Sequence, residues 1–473
     1  MTSSRYIQTQ ADAAHASKLS IRVRLGFGIG DFGLNGFYTG LNLFLLYYYT
    51  DVLGIRPAIA GLLFAAPLVW DAITDPLMGV MAGRTRSRWG RLRPYLLFGC
   101  VPLGLSFIGL FAAPLLFPNT VVLASFVGHL IFRTLFTVVS VPYSALTANL
   151  STNSGERGVL TAFRMSFATL GGLAVAVSML PIADLLAPGD RLHGIFLTSI
   201  IYASVGTAAI ALSFMSTKER IVSEAPTRFS PGALVEQILK NRPLMILLSA
   251  IFTAGMGAAI FAKAIIYYVE RVLPVDLSIT LPLSILMASI AASVPVWGLI
   301  SKYVEKRTAW LSGSVIVLFC QLVLLSFPPQ TAPIFLFLIG FSGFGHAAYV
   351  VTFWSMLPDT VEVGEWHTGV REEAMIYGIN QLVLKAGSAL GIAVLGFSLD
   401  LIGYKAARAI DAATTQALPA ISIGVPLLCL LMSITIISFY KIDRDLHARL
   451  TRHLSRQRNK VCGAVSIGTP KSS

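Results

Sequence analysis

The stretch Trp70-Asp-Ala-Ile-Thr-Asp-Pro76 lies near the middle of a long apolar run. It places two carboxylates inside what otherwise has the composition of a membrane span, where an ionised side chain costs roughly 3 kcal/mol. Because Asp71 and Asp75 are four residues apart, they share one helix face, with Thr74 beside them. Two like charges this close together are suited to binding a cation or sharing a proton.

The composition of the whole chain is that of a membrane protein. Of its 473 residues, 55% are hydrophobic and 12% are charged, and the mean hydropathy is +0.73. These values are typical of a polytopic membrane protein. The apolar runs fall at about 25–50, 58–81, 95–117, 120–148, 159–183, 193–215, 243–269, 278–300, 308–327, 332–357, 375–402 and 418–440. The sequence therefore predicts an all-α protein with twelve transmembrane helices.

A polar, basic stretch divides these runs into six and six, which predicts two membrane halves joined by a linker. The expected segments are a cytoplasmic N-terminal segment at 1–24, an N-terminal six-helix bundle at 25–215, a cytoplasmic linker at 216–242, a C-terminal six-helix bundle at 243–440 and a basic cytoplasmic tail at 441–473.

The net charge of +13 is mostly a topology signal. Of the 36 Lys and Arg residues, 27 fall on the side of the N-terminus and 5 on the opposite side. Under the positive-inside rule both termini are cytoplasmic, and no nucleic-acid partner is implied. The four cysteines are scattered, so neither a disulfide framework nor a metal site is expected. Four basic residues lie inside predicted spans: Arg133, Arg164, Lys263 and Lys385.

The first predicted span carries glycines together with Asp31 and Asn35. No strand precedes the glycines, so they favour close helix packing and bending over a nucleotide-binding loop. The carboxylate and the amide are one helical turn apart and point the same way, as a polyol substrate requires. The alternative is that Asp31 only neutralises a basic partner.

Several motifs, taken together, carry a family resemblance. The run from Trp70 continues into a Gly- and Arg-rich loop, Thr-Arg-Ser-Arg-Trp-Gly-Arg-Leu-Arg-Pro94. Further matching stretches are Gly30-Asp31, Tyr47–Gly54, Val141–Leu146, Leu357–Asp359 and Gly369–Glu372. Over roughly residues 22 to 440 the chain resembles the glycoside–pentoside–hexuronide:cation symporters, the melibiose permease family of the major facilitator superfamily. The resemblance implies two pseudo-symmetric six-helix bundles with the substrate at their interface.

The resemblance also assigns site residues. The implied cation site is Asp71, Asp75, Thr137 and Thr74, the last replacing an asparagine of melibiose permease. The implied sugar site uses Asp31 and Arg164. This chain departs from the family at two substrate-site positions, where Ser140 replaces an aspartate and Ser144 replaces a stacking tryptophan. With fewer carboxylates and several basic groups, the sequence favours H⁺ coupling over Na⁺ coupling, and both remain open.

Lys385 matches the family's intramembrane lysine near the cation site. It is expected to neutralise Asp71 and Asp75 when no cation is bound, and a purely structural ion pair is the alternative. Arg133 and Lys263 match no role, so packing or snorkelling is expected for both.

Two oppositely charged cytoplasmic loops are expected to face each other across the two halves. Salt bridges between them would hold the outward-facing state and break as the halves rock; two merely solvated loops are the alternative. The residues are Arg84, Arg88 and Arg91 in the first loop, and Asp359, Glu362, Glu365 and Arg371 in the second.

The expected function is H⁺- or Na⁺-coupled import of a sugar or glycoside by alternating access, across a bacterial inner membrane. No enzyme activity, no cofactor and no metal beyond a transported Na⁺ are expected. The partners are a small sugar and the bilayer, and the protein is expected to be monomeric. Three alternatives remain: a lysolipid or amphiphile symporter, a proton-driven drug exporter and a non-transporting sensor. Asp31 favours a polar substrate, and the other two would not need the Trp70–Pro76 motif.

Overall fold

The computed structural model describes residues 19–150, 154–219, 241–273, 277–327, 329–368, 373–405, 412–442 and 449, which form helices and contain no strand. The helices of the N-terminal half are α1 (Ile21–Tyr47), α2 (Pro57–Arg84), α3 (Arg93–Leu116), α4 (Val121–Leu150), α5 (Ser154–Leu186) and α6 (Arg191–Ser216). Those of the C-terminal half are α7 (Arg242–Arg271), α8 (Thr280–Tyr303), α9 (Lys306–Ser326), α10 (Ala332–Thr368), α11 (Glu373–Leu401), α12 (Ala412–Pro419) and α13 (Val425–Ser438). The first residues of the predicted N-terminal segment and most of the linker and tail lie outside the described residues.

These helices make twelve membrane crossings, as the apolar runs predict. Among the described residues, eleven segments are long and apolar enough to span a membrane, and α12 with α13 counts as one of them. The twelfth crossing is α1, whose 27 residues are long enough to span, although its glycines and polar residues lower its hydropathy. Wider π-helical turns extend α1 (Tyr48–Val52) and join α12 to α13 (Ala420–Gly424).

The helices pack in two related sets. In the N-terminal half, α1 packs on α5, and in the C-terminal half α7 packs on α11 in the corresponding place. Between the halves, α11 packs on α2, and α5 packs on α8. If the first six membrane crossings are exchanged with the last six, each of these contacts becomes its counterpart. This is the pattern of two bundles related by a pseudo-two-fold axis.

A glycine lets α1 approach α6 closely. A Cβ atom at Gly33 would lie 2.7 Å from the carbonyl oxygen of Gly206, so no larger residue fits without moving one of the two helices. Without a hydrophobic driving force between helices in lipid, such backbone approach provides much of the packing energy. The packing role predicted for the glycines of the first span is confirmed at this position.

At one end of the bundle, called the distal end, polar contacts join the two halves. The Thr50 hydroxyl lies 2.9 Å from the Tyr267 hydroxyl, and the Tyr404 hydroxyl donates to the Asp51 carboxylate at 2.7 Å. An Arg271 nitrogen lies 3.8 Å from the same carboxylate. The halves are therefore closed against each other at the distal end.

At the opposite, proximal end, the start of the linker caps a helix. The Glu219 carboxylate accepts backbone N–H groups from Arg91 (3.0 Å), Leu92 (2.8 Å) and Arg93 (3.0 Å) at the start of α3. The N-cap residue, Leu92, has no side chain that could do this. A carboxylate at a helix N-terminus also interacts favourably with the helix dipole. Glu219 therefore fixes the loop between α2 and α3 to the end of the N-terminal half.

Replacing Glu219 with alanine should lower the stability of the purified protein. Three backbone donors lose their acceptor, and the loss of a capping side chain costs about 1 kcal/mol. A fall in melting temperature in detergent, measured by intrinsic fluorescence, would show this. The exposed neighbour Lys218→Ala is the matched control and should melt like the wild type. Equal melting of all three proteins would contradict the capping role.

Candidate ion and substrate site

Two helices of the N-terminal half, α2 and α4, align their polar side chains in register. Pro67 has no N–H, so the carbonyl of Leu63 one turn earlier lacks its usual helical donor. His129 of α4 is fully buried, and its Nδ1 lies 3.1 Å from that carbonyl oxygen. This contact fixes the rotation of α4 against α2 one to two turns before the carboxylates.

The next contact along these helices is a buried ion pair. Arg133 donates from Nη2 to Oδ2 of Asp71, and its Nε lies 3.3 Å from Oδ1. Both side chains are only 2% exposed. The packing or snorkelling expected for Arg133 is therefore wrong, because its guanidinium faces a buried carboxylate instead of reaching the membrane surface.

One turn further on, Asp75 is held from both halves of the protein. The Thr137 hydroxyl of α4 donates to its Oδ1 at 2.7 Å, while Lys385 of α11 donates to its Oδ2. The same Lys385 nitrogen lies 3.2 Å from Oδ2 of Asp71. Asp75 and Lys385 are 31% and 27% exposed, so protein atoms leave this side of the group partly uncovered.

Asp71, Asp75, Arg133 and Lys385 are called the ion cluster below. Two carboxylates and two basic groups give it a formal net charge of zero. Thr74 lies beside it, half-buried, and its hydroxyl donates to the Trp70 carbonyl at 3.2 Å. The lone pairs of that hydroxyl stay available to a ligand.

A second ion pair joins α1 to α5. Arg164 Nε donates to Oδ2 of Asp31 at 2.5 Å, and Arg164 Nη1 donates to the Thr147 hydroxyl at 2.8 Å. The centre of the guanidinium lies 4.9 Å from the centre of the Tyr143 ring. That ring sits where a Cβ atom on Gly30 would come within 2.6 Å of it. The glycine next to Asp31 therefore makes room for the aromatic side of this pair.

The other predicted substrate residues differ in what they face. The Asn35 amide donates one of its two N–H groups to the backbone carbonyl of Asp31 at 3.0 Å, which leaves the second N–H and the amide oxygen for other partners. A short amide commonly bonds the carbonyl one turn back in this way. Ser140 is half-buried and Ser144 is exposed, one turn apart on α4 between the two ion-pair sites.

Helix α4 contributes more residues to both sites than Thr137, Ser140 and Ser144, which the sequence predicts. Besides Thr137 it supplies His129 and Arg133 on one side and Tyr143 and Thr147 on the other. The sequence contains one signal of this pairing between α2 and α4. The contacts Asp71–Arg133 and Asp75–Thr137 each join residues 62 positions apart, because the polar residues on both helices are four positions apart.

Three of the predicted gating residues, Arg88, Arg91 and Asp359, contact partners in their own halves in this conformation. The Arg88 guanidinium lies 4.0 Å from the ring centre of Trp89, and Arg91 donates to a carbonyl at the end of α2. Lys306 donates to both carboxylate oxygens of Asp359, at 2.8 and 2.7 Å. Arg84 is exposed, Glu362 and Glu365 are half-buried, and Arg371 lies outside the described residues. The outward-facing salt bridges stay a prediction.

A bundle of this design, with charges buried where its two halves meet, is the architecture of a secondary transporter. Residues 26–444 match the family described as MFS/sugar transport protein, and the chain belongs to that family.

Similar proteins agree with this assignment. The chain is 31% identical to the symporter YnaJ of Bacillus subtilis, over 94% of this chain and 97% of the relative. It is 27% identical to the isoprimeverose transporter of Lactiplantibacillus pentosus, over 92% and 91%. The crystal structure of the nucleoside transporter NupG superposes with a TM-score of 0.65 at 13% identity, covering 89% of this chain and 99% of that one. The major facilitator fold, the family resemblance and the assignment as a transporter rather than an enzyme are confirmed.

The ion pair between Asp31 and Arg164 can be tested by a double-mutant cycle. Asp31→Ala or Arg164→Ala leaves one buried charge without its partner, so each should cost about 3 kcal/mol of stability. The double variant should cost clearly less than the sum of the two single variants. Thermal unfolding of the four purified proteins measures the coupling, and strictly additive losses would contradict a direct pair.

Proposed function

We propose that the protein is a symporter that imports a sugar or glycoside together with a cation, H⁺ or Na⁺. The observation that carries this proposal is the contact of Lys385 with Asp71 and Asp75, because it joins the two halves through groups that a cation would also bind. The family and the transporter and symporter names of the relatives support it.

The ion cluster offers a physical means of coupling. A cation that binds at Asp75 competes with the Lys385 ammonium for the same carboxylate oxygen. Its binding weakens a contact between α2 and α11, two helices that meet across the halves. The cation therefore changes the relative free energy of the two conformations, which is the requirement for any coupled carrier.

The substrate role is assigned to the second ion pair. Asp31 supplies carboxylate oxygens, and Arg164 supplies N–H donors held against the Tyr143 ring. Sugar hydroxyls both donate and accept hydrogen bonds, so a carboxylate and a guanidinium side by side suit them. The Tyr143 ring is itself fully buried, so its role is to hold the guanidinium in place. Ser140 and Ser144 extend this polar surface along α4.

The same helix links the two sites. On α4, Arg133 and Thr137 of the ion site precede Tyr143 and Thr147, which contact Arg164, within four turns. A displacement of α4 on cation binding therefore changes the contacts of Arg164. We propose that both termini are cytoplasmic, in a bacterial inner membrane, and that a single chain is sufficient for transport.

Transport can be tested in proteoliposomes supplied with a panel of sugars, glycosides and hexuronides. Alkalinisation of the outer medium on addition of one sugar, without Na⁺, establishes H⁺ symport, whereas uptake only with Na⁺ establishes Na⁺ symport. Asp75→Asn should abolish concentrative uptake under either ion, because its amide can neither be protonated nor carry the negative charge that attracts a cation. Asp190→Asn makes the same chemical change at an exposed site and is the matched control.

Two outcomes would overturn the proposal. The proposal of a sugar substrate is wrong if no sugar is taken up with either ion while a lysolipid is taken up. The assignment of Asp75 to the coupling site is wrong if the Asp75→Asn protein accumulates the sugar against its gradient to the same extent as the Asp190→Asn protein.

A further inference from the structure

We infer that Arg133 is a tethered cation that occupies the place of a sodium ion beside Asp71, so that the wild-type protein does not bind Na⁺. The inference rests on the proposed role of Asp71 and Asp75 as the ion site, and it concerns which ion the site accepts.

The first argument is the occupancy of the oxygen atoms. Oδ1 and Oδ2 of Asp71 both receive N–H groups of Arg133, and Oδ2 also faces the Lys385 ammonium. Both oxygens of Asp75 are engaged as well, one by Thr137 and the other by Lys385. A hard metal cation needs several oxygen ligands at once. In this cluster it would have to displace a guanidinium to obtain those of Asp71.

The second argument is burial. Arg133 and Asp71 are each 2% exposed, so the guanidinium has no route to water if a sodium ion takes its place. An arginine stays protonated at any working pH, so it cannot make room by losing its charge. Lys385, by contrast, is 27% exposed and can withdraw from Asp75 toward its uncovered side.

The third argument is charge. With Asp71, Asp75 and Lys385 alone, the site would carry a net charge of −1, which one monovalent metal ion would neutralise. Arg133 already supplies that charge, and the ion cluster sums to zero. A sodium ion added to it would be an uncompensated charge in a region of low dielectric constant.

Sodium binding can be measured without knowing the sugar, by melting the purified protein in NaCl and in choline chloride at equal ionic strength. The wild type should melt at the same temperature in both salts. Arg133→Met removes the charge but keeps an apolar side chain of similar length. It should melt about 2 °C or more higher in NaCl, because a ligand that binds only the folded protein stabilises it.

Arg133→Lys retains the positive charge and should remain insensitive to Na⁺. The matched control is Lys263→Met, which replaces a buried basic side chain that lies over the Phe64 ring, 5.0 Å from its centre, and should also be insensitive. If Arg133→Met does not fold, Arg133→Gln takes its place.

A wild-type protein that melts higher in NaCl than in choline chloride would overturn the inference. So would a folded Arg133→Met or Arg133→Gln protein with no response to Na⁺. Neither result depends on whether a sugar is transported, so a failed sugar assay leaves this test intact.

Discussion

Neutralisation of charge inside the membrane is the constraint on which the structure depends. Asp71 is almost completely buried among apolar helices, and an unpaired carboxylate there would cost several kcal/mol. Its partners come from two directions, Arg133 from the same half and Lys385 from the other. The first partner fixes α4 to α2, and the second fixes one half to the other. The buried charged side chains, which are the groups most costly to place in a membrane, therefore also hold the helices in register.

The sequence predicts the fold well, because hydropathy depends only on the residues of each segment. Twelve apolar runs become twelve crossings, including α1, whose glycines and Asp31 weaken the signal. The π-helical turns at Tyr48–Val52 and Ala420–Gly424 are not predicted. They widen a helix locally without altering its composition, so an apolar run conceals them.

The site is predicted less completely, because pairing depends on how helices rotate against one another. The residues matched to the family, Asp71, Asp75 and Thr137, do come together. Arg133 is missed, because a lone arginine within a span does not reveal which neighbour its guanidinium faces. The spacing of Asn35 and Asp31 likewise does not indicate that the Asn35 amide donates to the backbone carbonyl of Asp31.

The zero net charge of the ion cluster has an electrical consequence. An empty carrier would move no net charge of this cluster through the membrane field when its halves reorient. A carrier loaded with a cation would move one, and the membrane potential acts on it with about 2.3 kcal/mol per 100 mV if the full potential is crossed. The arrangement of Arg133 and Lys385 would thus direct the force of an inside-negative potential onto the loaded, inward step and leave the return step independent of voltage.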